Sequence, residues 1–396
     1  MESTLRNRKP AYEPVKFLDE DDLHSLDIYE YHSGMYTPLD NFLSPIYGKM
    51  ANLLPNWLAP NAVTLVGLVA SIISCALVIY FDPYLNGAAP RWVYLYAAFA
   101  NTFYQVFDCL DGKQARRLHA SSPLGQIFDH GCDSFNLNCI LLVILSTAGS
   151  GINVISGLCF LVCHFSFATA QLVEYYSGVL LCGSQYFGVT EALFITTFVY
   201  LFVGIYGSDF LKLPLSYYIP SLKIDFSLIN CIMVVMIIII SLTMIIATIQ
   251  CLIRGTTVEE KLRGKKNLTR FDFISRFLPL IVMTVCCVYI MTQPIFREYP
   301  IPFLTLCGLS FSFFSTRSNI SHLCRRPLTW RFNGALPIII YTIFDLLGYK
   351  SATVMWICLV FIVLLYGYFV ISAVDQIKTH LGIRALHLTN KSEKNN

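Results

Sequence analysis

Long apolar stretches, each close to one bilayer crossing in length, alternate with short polar breaks along most of this chain. A hydrocarbon core of ~30 Å needs ~20 apolar residues per helix. Ten stretches meet or approach that length: 62–80, 93–108, 135–148, 154–172, 191–206, 226–251, 274–291, 302–314, 336–347 and 354–374. The third, eighth and ninth are short. A different pattern precedes them. Between Pro38 and Leu54, the residues Leu39, Phe42, Leu43, Ile46, Met50, Leu53 and Leu54 recur at helical three/four spacing, with Thr37 and Pro38 as N-cap and first helical position. This predicts an amphipathic helix lying on the membrane surface, bent at Pro45, with Trp57 at headgroup depth. The first 37 residues are polar and lack the apolar stretch of a cleaved signal peptide. No loop is long enough for a folded domain, so function is expected in or at the membrane. The expected fold is all-α, a polytopic membrane protein of about ten transmembrane helices. No fixed repeat is visible, which argues against an inverted-repeat transporter.

Composition agrees with this reading. Of 396 residues, 55% are apolar and 13% charged, about half the charge of an ordinary soluble domain. Mean hydropathy is +0.58 and the formal net charge +3. These values exclude a soluble enzyme and a disordered chain, and they give no reason to expect a nucleic-acid partner. The 14 cysteines form no C-x-x-C pair, and Cys75, Cys139, Cys231 and Cys358 sit inside apolar runs, as packing residues do. Basic residues fix the orientation. The loops after the second, sixth and eighth stretches carry thirteen: Lys113, Arg116, Arg117, Arg254, Lys261, Arg263, Lys265, Lys266, Arg270, Arg317, Arg325, Arg326 and Arg331. Loops after odd-numbered stretches carry far fewer, among them Arg91, Lys212, Lys223 and Arg297. Both termini are therefore expected in the cytosol.

The candidate chemistry lies between the second and third stretches. Asp108 and Asp111 are three residues apart, and Asp129 and Asp133 four apart, so each pair shares one helix face. An antiparallel helix pair would gather four carboxylates near the membrane surface, where they repel unless cations neutralise them. Hard divalent ions suit such oxygen donors, so two Mg²⁺ ions, with Mn²⁺ as a substitute, are expected here. Gly112, Gly125 and Gly131 leave room for a bulky ligand.

The run Asp108-x2-Asp111-Gly112-x2-Ala115-Arg116-x8-Gly125-x3-Asp129-x3-Asp133 fills every fixed position of the signature of the CDP-alcohol phosphotransferase family. Trp57-Leu-Ala-Pro60-Asn61-Ala-Val-Thr64, Tyr80-Phe-Asp-Pro83, Ala89-Pro90-Arg91-Trp92 and Asp129-His130-Gly131-Cys132-Asp133-Ser134 resemble the eukaryotic choline/ethanolamine phosphotransferases, a branch that also has ten spans. The close resemblance covers roughly residues 50–200. It implies transfer of phosphocholine or phosphoethanolamine from CDP-choline or CDP-ethanolamine to diacylglycerol, with release of CMP. It further implies a homodimer in the endoplasmic reticulum or Golgi membrane. On this reading the chain divides into a cytosolic tail (1–37), the interfacial helix (38–60), a catalytic membrane core (61–251), further membrane helices (252–375) and a second cytosolic tail (376–396).

By the same resemblance, Asp108, Asp111, Asp129 and Asp133 are metal ligands, and Arg116 contacts the CDP phosphates with its fork of donors. Asn61 matches a nucleotide-contacting position, or serves as a helix N-cap after Pro60. His130 is the expected general base toward the acceptor hydroxyl, because imidazole titrates near neutral pH, with Ser134 four residues on to orient the ring. His164 is expected to be a structural hydrogen-bonder. Glu174, Tyr175, Tyr176 and Glu191 either hold a cationic headgroup or anchor span ends at the interface. Gln126 departs from the branch, where glutamate is frequent. Two other readings compete: CDP-alcohol transfer with an inositol or glycerophosphate acceptor, and a divalent-metal transporter whose ion path runs through the carboxylates.

Overall fold

The computed structural model describes residues 16–28, 36–180, 186–254, 269–328 and 332–388, and among these the regular structure is helical. Lys261, Arg263, Lys265, Lys266 and Arg331, five of the residues that set the expected orientation, lie outside the described residues, as do residues 1–15, 29–35 and 389–396 of the terminal tails. Two helices precede the membrane bundle: α1 (Glu20–Asp27) and α2 (Pro38–Ala51). The bundle then comprises α3 (Pro60–Phe81), α4 (Arg91–Arg117), α5 (Pro123–Ala148), α6 (Val154–Ser177), α7 (Val189–Tyr206), α8 (Leu228–Arg254), α9 (Leu278–Met291), α10 (Pro300–Leu323), α11 (Leu336–Leu346) and α12 (Ala352–Leu381). Each predicted apolar stretch is one of these ten helices.

Among the described residues, seven helical segments are long and apolar enough to cross a membrane: α3, α5, α6, α7, α8, the segment Arg270–Met291 that contains α9, and α12. The other three differ for separate reasons. Helix α4 ends in the charged motif, and α11 has only 11 residues. Helix α10 packs on α5, α6 and α12 and is buried on nearly every face. Ser312, Thr316, Ser318, Asn319 and His322 therefore never meet lipid, and the helix continues well past the apolar run ending at Phe314. Gly308 allows its close approach to α5, since a Cβ there would overlap the side-chain amide of Asn138. Helix α8 is the opposite case, with Val235, Ile239, Leu242, Ile246 and Ile249 exposed along its length.

The amphipathic helix forms as its spacing predicts. Thr37 and Asp40 close a capping box at its start, and it runs on through Pro45. Tyr47 and Ala51 pack with Val63 and Leu110, while Phe42, Ile46 and Trp57 stay exposed on the other side. Three side chains near the end of α4 hold this element. Lys113 donates to Ser44 Oγ (2.9 Å), Gln114 to the carbonyls of Pro55 and Leu58, and Arg117 to those of Asn52 and Leu54. Arg117 thus does structural work beyond its contribution to the loop charge.

Candidate active site

The motif occupies the last turns of α4 and the first turns of α5. Sequence sets both boundaries. Helix α4 runs through the motif to Arg117, and α5 starts at Pro123 with Ser122 as its N-cap, its hydroxyl accepting from Gly125 N–H. Helix α5 therefore begins twelve residues before the apolar stretch that marks it. Helix α3 packs against both motif helices, which also touch each other directly, at the far end where the Tyr94 hydroxyl meets Ser146 (3.1 Å) and at the motif end.

Their approach at the motif end gathers the carboxylates. One oxygen each from Asp108, Asp111 and Asp129 lies within 4.8 Å of the others. Asp108 Oδ1 is buried without a hydrogen-bond partner. An orphaned carboxylate oxygen beside two more carboxylates is the arrangement that a bound cation relieves, and the all-oxygen donor set fits a hard divalent ion. Asp111 also accepts the Thr64 hydroxyl, from the first turns of α3. Asp133 lies one turn beyond Asp129 and is not one of the three that meet; its Oδ1 accepts the Tyr104 hydroxyl of α4 at 2.8 Å. Thr64 and Tyr104 were not singled out from sequence as part of the site. Thr64 lies inside the stretch beginning Trp57, but nothing in its spacing to Asp111 marks the contact.

Arg116 is exposed and its side chain makes no hydrogen bond among the described residues, with its guanidinium folded over Gly112. A Cβ at position 112 would sit 3.5 Å from Nη1, in ordinary contact with the guanidinium. Asn61 is not an N-cap. Helix α3 starts at Pro60 with Ala59 as its cap, and the Asn61 amide donates to the Ala385 carbonyl (2.9 Å), just beyond the end of α12.

His130 points elsewhere. Residues 126, 130, 134 and 138 form the stripe of α5 that faces α6 and α10. The ring is buried, with Nδ1 at 3.9 Å from Glu174 Oε2. Gln126 donates to the other oxygen of Glu174 (3.3 Å), and His322 of α10 approaches it at 4.0 Å. Ser134 does not orient the ring: its hydroxyl makes no bond to His130, and its carbonyl accepts from Asn138 and Ser312. The expected anchoring roles also change. Glu174 is buried, and Tyr176 is buried against Phe273. The Tyr175 hydroxyl donates to the Arg326 carbonyl and accepts from Leu328 N–H. Glu191 caps its own helix by accepting from Gly188 N–H (2.7 Å). His164 bonds the Phe160 carbonyl and Asn138 Oδ1, each at 3.0 Å, as expected of a structural histidine.

Comparison with known proteins gives the family. The CDP-alcohol phosphatidyltransferase family profile matches residues 57–211, which hold α3 through α7 and the whole motif. CDP-alcohol phosphatidyltransferase class-I family protein 3 of Dictyostelium discoideum is 30% identical over 359 residues, covering 85% of this chain and 90% of the relative. Choline/ethanolaminephosphotransferase 2 of Arabidopsis thaliana is 28% identical over 365 residues, 88% of this chain and 92% of the relative. Cholinephosphotransferase 1 of Saccharomyces cerevisiae is 34% identical over 195 residues, about half of each chain. With the complete motif, the converging carboxylates and this near full-length similarity, the chain belongs to the class-I CDP-alcohol phosphatidyltransferase family.

Proposed function

We propose that this membrane enzyme transfers phosphocholine or phosphoethanolamine from CDP-choline or CDP-ethanolamine to the hydroxyl of diacylglycerol, producing phosphatidylcholine or phosphatidylethanolamine and CMP. The observation that carries this reading is the meeting of Asp108, Asp111 and Asp129 at the end of two helices, within a membrane bundle. The similarity to choline/ethanolaminephosphotransferase 2 over nearly its full length supports these headgroups over an inositol or glycerophosphate acceptor.

In this reading Asp108, Asp111, Asp129 and Asp133 hold two Mg²⁺ ions, for which Mn²⁺ substitutes. When bound, such ions neutralise the carboxylates and stabilise charge on the phosphoryl group being transferred. Arg116, exposed and folded over Gly112, supplies donors to the CDP phosphates. Asn61 reaches the nucleotide from the start of α3 once its amide leaves the Ala385 carbonyl. The acceptor oxygen forms a bond to phosphorus as the bond to CMP breaks. His130 takes the hydroxyl proton, so the diacylglycerol hydroxyl must arrive on the side of α5 that faces α6. Glu174, beside the ring, stabilises the imidazolium that results.

A transporter would distribute its charges across the membrane, whereas these carboxylates crowd one end of the bundle. We place that end and both termini in the cytosol, the catalytic core in residues 61–251, and the protein in the endoplasmic reticulum or Golgi membrane as a homodimer. The test is purified full-length protein supplied with Mg²⁺, diacylglycerol and either CDP-choline or CDP-ethanolamine. Stoichiometric CMP and phospholipid are expected. Metal uptake into liposomes without lipid synthesis would overturn the reading in favour of transport.

A further inference from the structure

A second group of metal-type ligands lies away from the carboxylates, where α1 meets the end of α12. His24 and Asp27, one turn apart on α1, converge with His380. His380 Nε2 is 3.1 and 3.2 Å from the two oxygens of Asp27, and His24 Nδ1 is 3.4 Å from Oδ2. One donor atom from each residue lies within 4.8 Å of the other two, and the two rings stand at 84° with centroids 5.4 Å apart.

Charge-assisted hydrogen bonds from imidazolium to carboxylate run ~2.7–2.9 Å and point at one oxygen. Here all three separations are longer, and His380 sits almost equally far from both oxygens. Ligands at ~2.0–2.1 Å from a tetrahedral zinc ion are about 3.3–3.4 Å from one another; the two His–Asp27 separations are close to that, and the two imidazoles offer donor atoms within 4.8 Å of each other. Two imidazole nitrogens and one carboxylate suit a borderline ion and would be a poor choice for Mg²⁺. The side chains of His24 and Asp27 are 73% and 48% exposed, so an ion can enter from solvent.

The frame beneath the group is firm. Leu18 N–H donates to Gln376 of α12 (3.1 Å), Phe17 packs edge-on against Phe369, and Arg326 bonds both Asp22 and the Phe17 carbonyl. The ligands therefore project from two elements that are already docked. We propose that His24, Asp27 and His380 bind one divalent transition-metal ion of the zinc class. Three protein ligands leave a fourth position for water. The ion staples α1 to the end of α12, next to the segment whose Ala385 carbonyl holds Asn61.

The experiment uses full-length protein with its affinity tag removed, kept in excess Mg²⁺ so that the carboxylate site is not in competition. Zn²⁺ is the probe, read by metal content after buffer exchange and by the thermal midpoint, with no activity measurement. Wild type should retain one equivalent of zinc and gain about a few degrees in midpoint, as binding to the folded state requires. His24→Ala and His380→Ala should each weaken zinc binding by roughly tenfold or more and abolish the gain. His24 is so exposed that its loss leaves the fold intact, which keeps the test valid if His380→Ala misfolds. Equal zinc in wild type and both variants would put the metal on cysteines and overturn the proposal. No retained zinc in wild type would reduce the group to a hydrogen-bonded cluster and overturn it as well.

Discussion

Asn61 gives its side-chain amide to the carbonyl of Ala385, 324 residues away in sequence, at 2.9 Å. That bond uses one of the amide's two N–H donors and holds the direction of the side chain, so full engagement of a nucleotide requires it to break. Deleting residues 384–396 should therefore lower the KM for CDP-choline by about 2- to 10-fold, the worth of one ordinary hydrogen bond, with kcat unchanged. Steady-state kinetics of the shortened protein check this. A higher KM would make the segment part of the nucleotide site.

Asp108→Asn and Asp129→Asn should each lower turnover by at least about a hundredfold, a loss of several kcal/mol of charge stabilisation. Neither should destabilise the metal-free protein, because each removes one of three mutually repelling charges. Wild type should gain thermal midpoint when Mg²⁺ is added, and the variants should lose that gain. Normal Mg²⁺-dependent activity in either variant would remove that residue from the ligand set.

His130→Ala should lose about 10²- to 10⁴-fold in kcat, the usual worth of a general base, while CDP-choline affinity is retained. Imidazole accepts a proton only when neutral, so wild-type turnover should fall as pH drops through its titration, and the variant should lose that acidic limb. The pH profile of kcat in both proteins decides the matter. Near-normal turnover with the limb unchanged would assign the proton transfer to another group.

Gly308→Ala should destabilise the fold by about 1–3 kcal/mol, because the new methyl group overlaps the Asn138 amide. Moving Asn138 breaks its bonds to His164 and Ser312. Thermal unfolding in detergent measures the effect, and an unchanged midpoint would mean that α10 can shift outward at no cost.

Accessibility of the loop 252–270 tests the orientation. Its basic residues predict a cytosolic position, so in sealed vesicles with the cytosolic face outward an introduced cysteine there should react with an impermeant thiol reagent without the membrane being opened. Labelling from the lumen would reverse the topology.

Much of this was legible in the chain because it is written in local spacing. Apolar runs, three of them short of a bilayer crossing, marked all ten bundle helices, Thr37 and Pro38 marked the start of α2, and the three- and four-residue intervals put each aspartate pair on one face. Helix limits were lost where polar residues sit inside protein and out of lipid: α5 begins at Pro123 and α10 reaches Leu323, both beyond their apolar runs. Contacts between helices were lost altogether. Thr64 on Asp111, Tyr104 on Asp133 and Glu174 beside His130 span 29 to 47 residues, and no periodicity encodes which faces meet. Ser134 has the right interval to reach His130, but the His130 ring turns its Nδ1 toward Glu174 of α6.

Burial of α10 between α5 and α6 has a consequence for how the protein is made. Asn138 donates to Ser312, which lies 174 residues later, and Ser312 in turn donates to the Ser134 carbonyl. At ~5–20 residues per second, synthesis of the intervening chain takes roughly 10–35 s. During that interval the first spans are already in the bilayer while the polar stripe of α5 has no partner from α10. A nascent intermediate with helices α3–α9 made and the polar groove of α5 still open is the species that insertion factors and quality-control proteases meet first. Substitutions in α10 will then act on yield, by lengthening the life of that intermediate, before they act on catalysis.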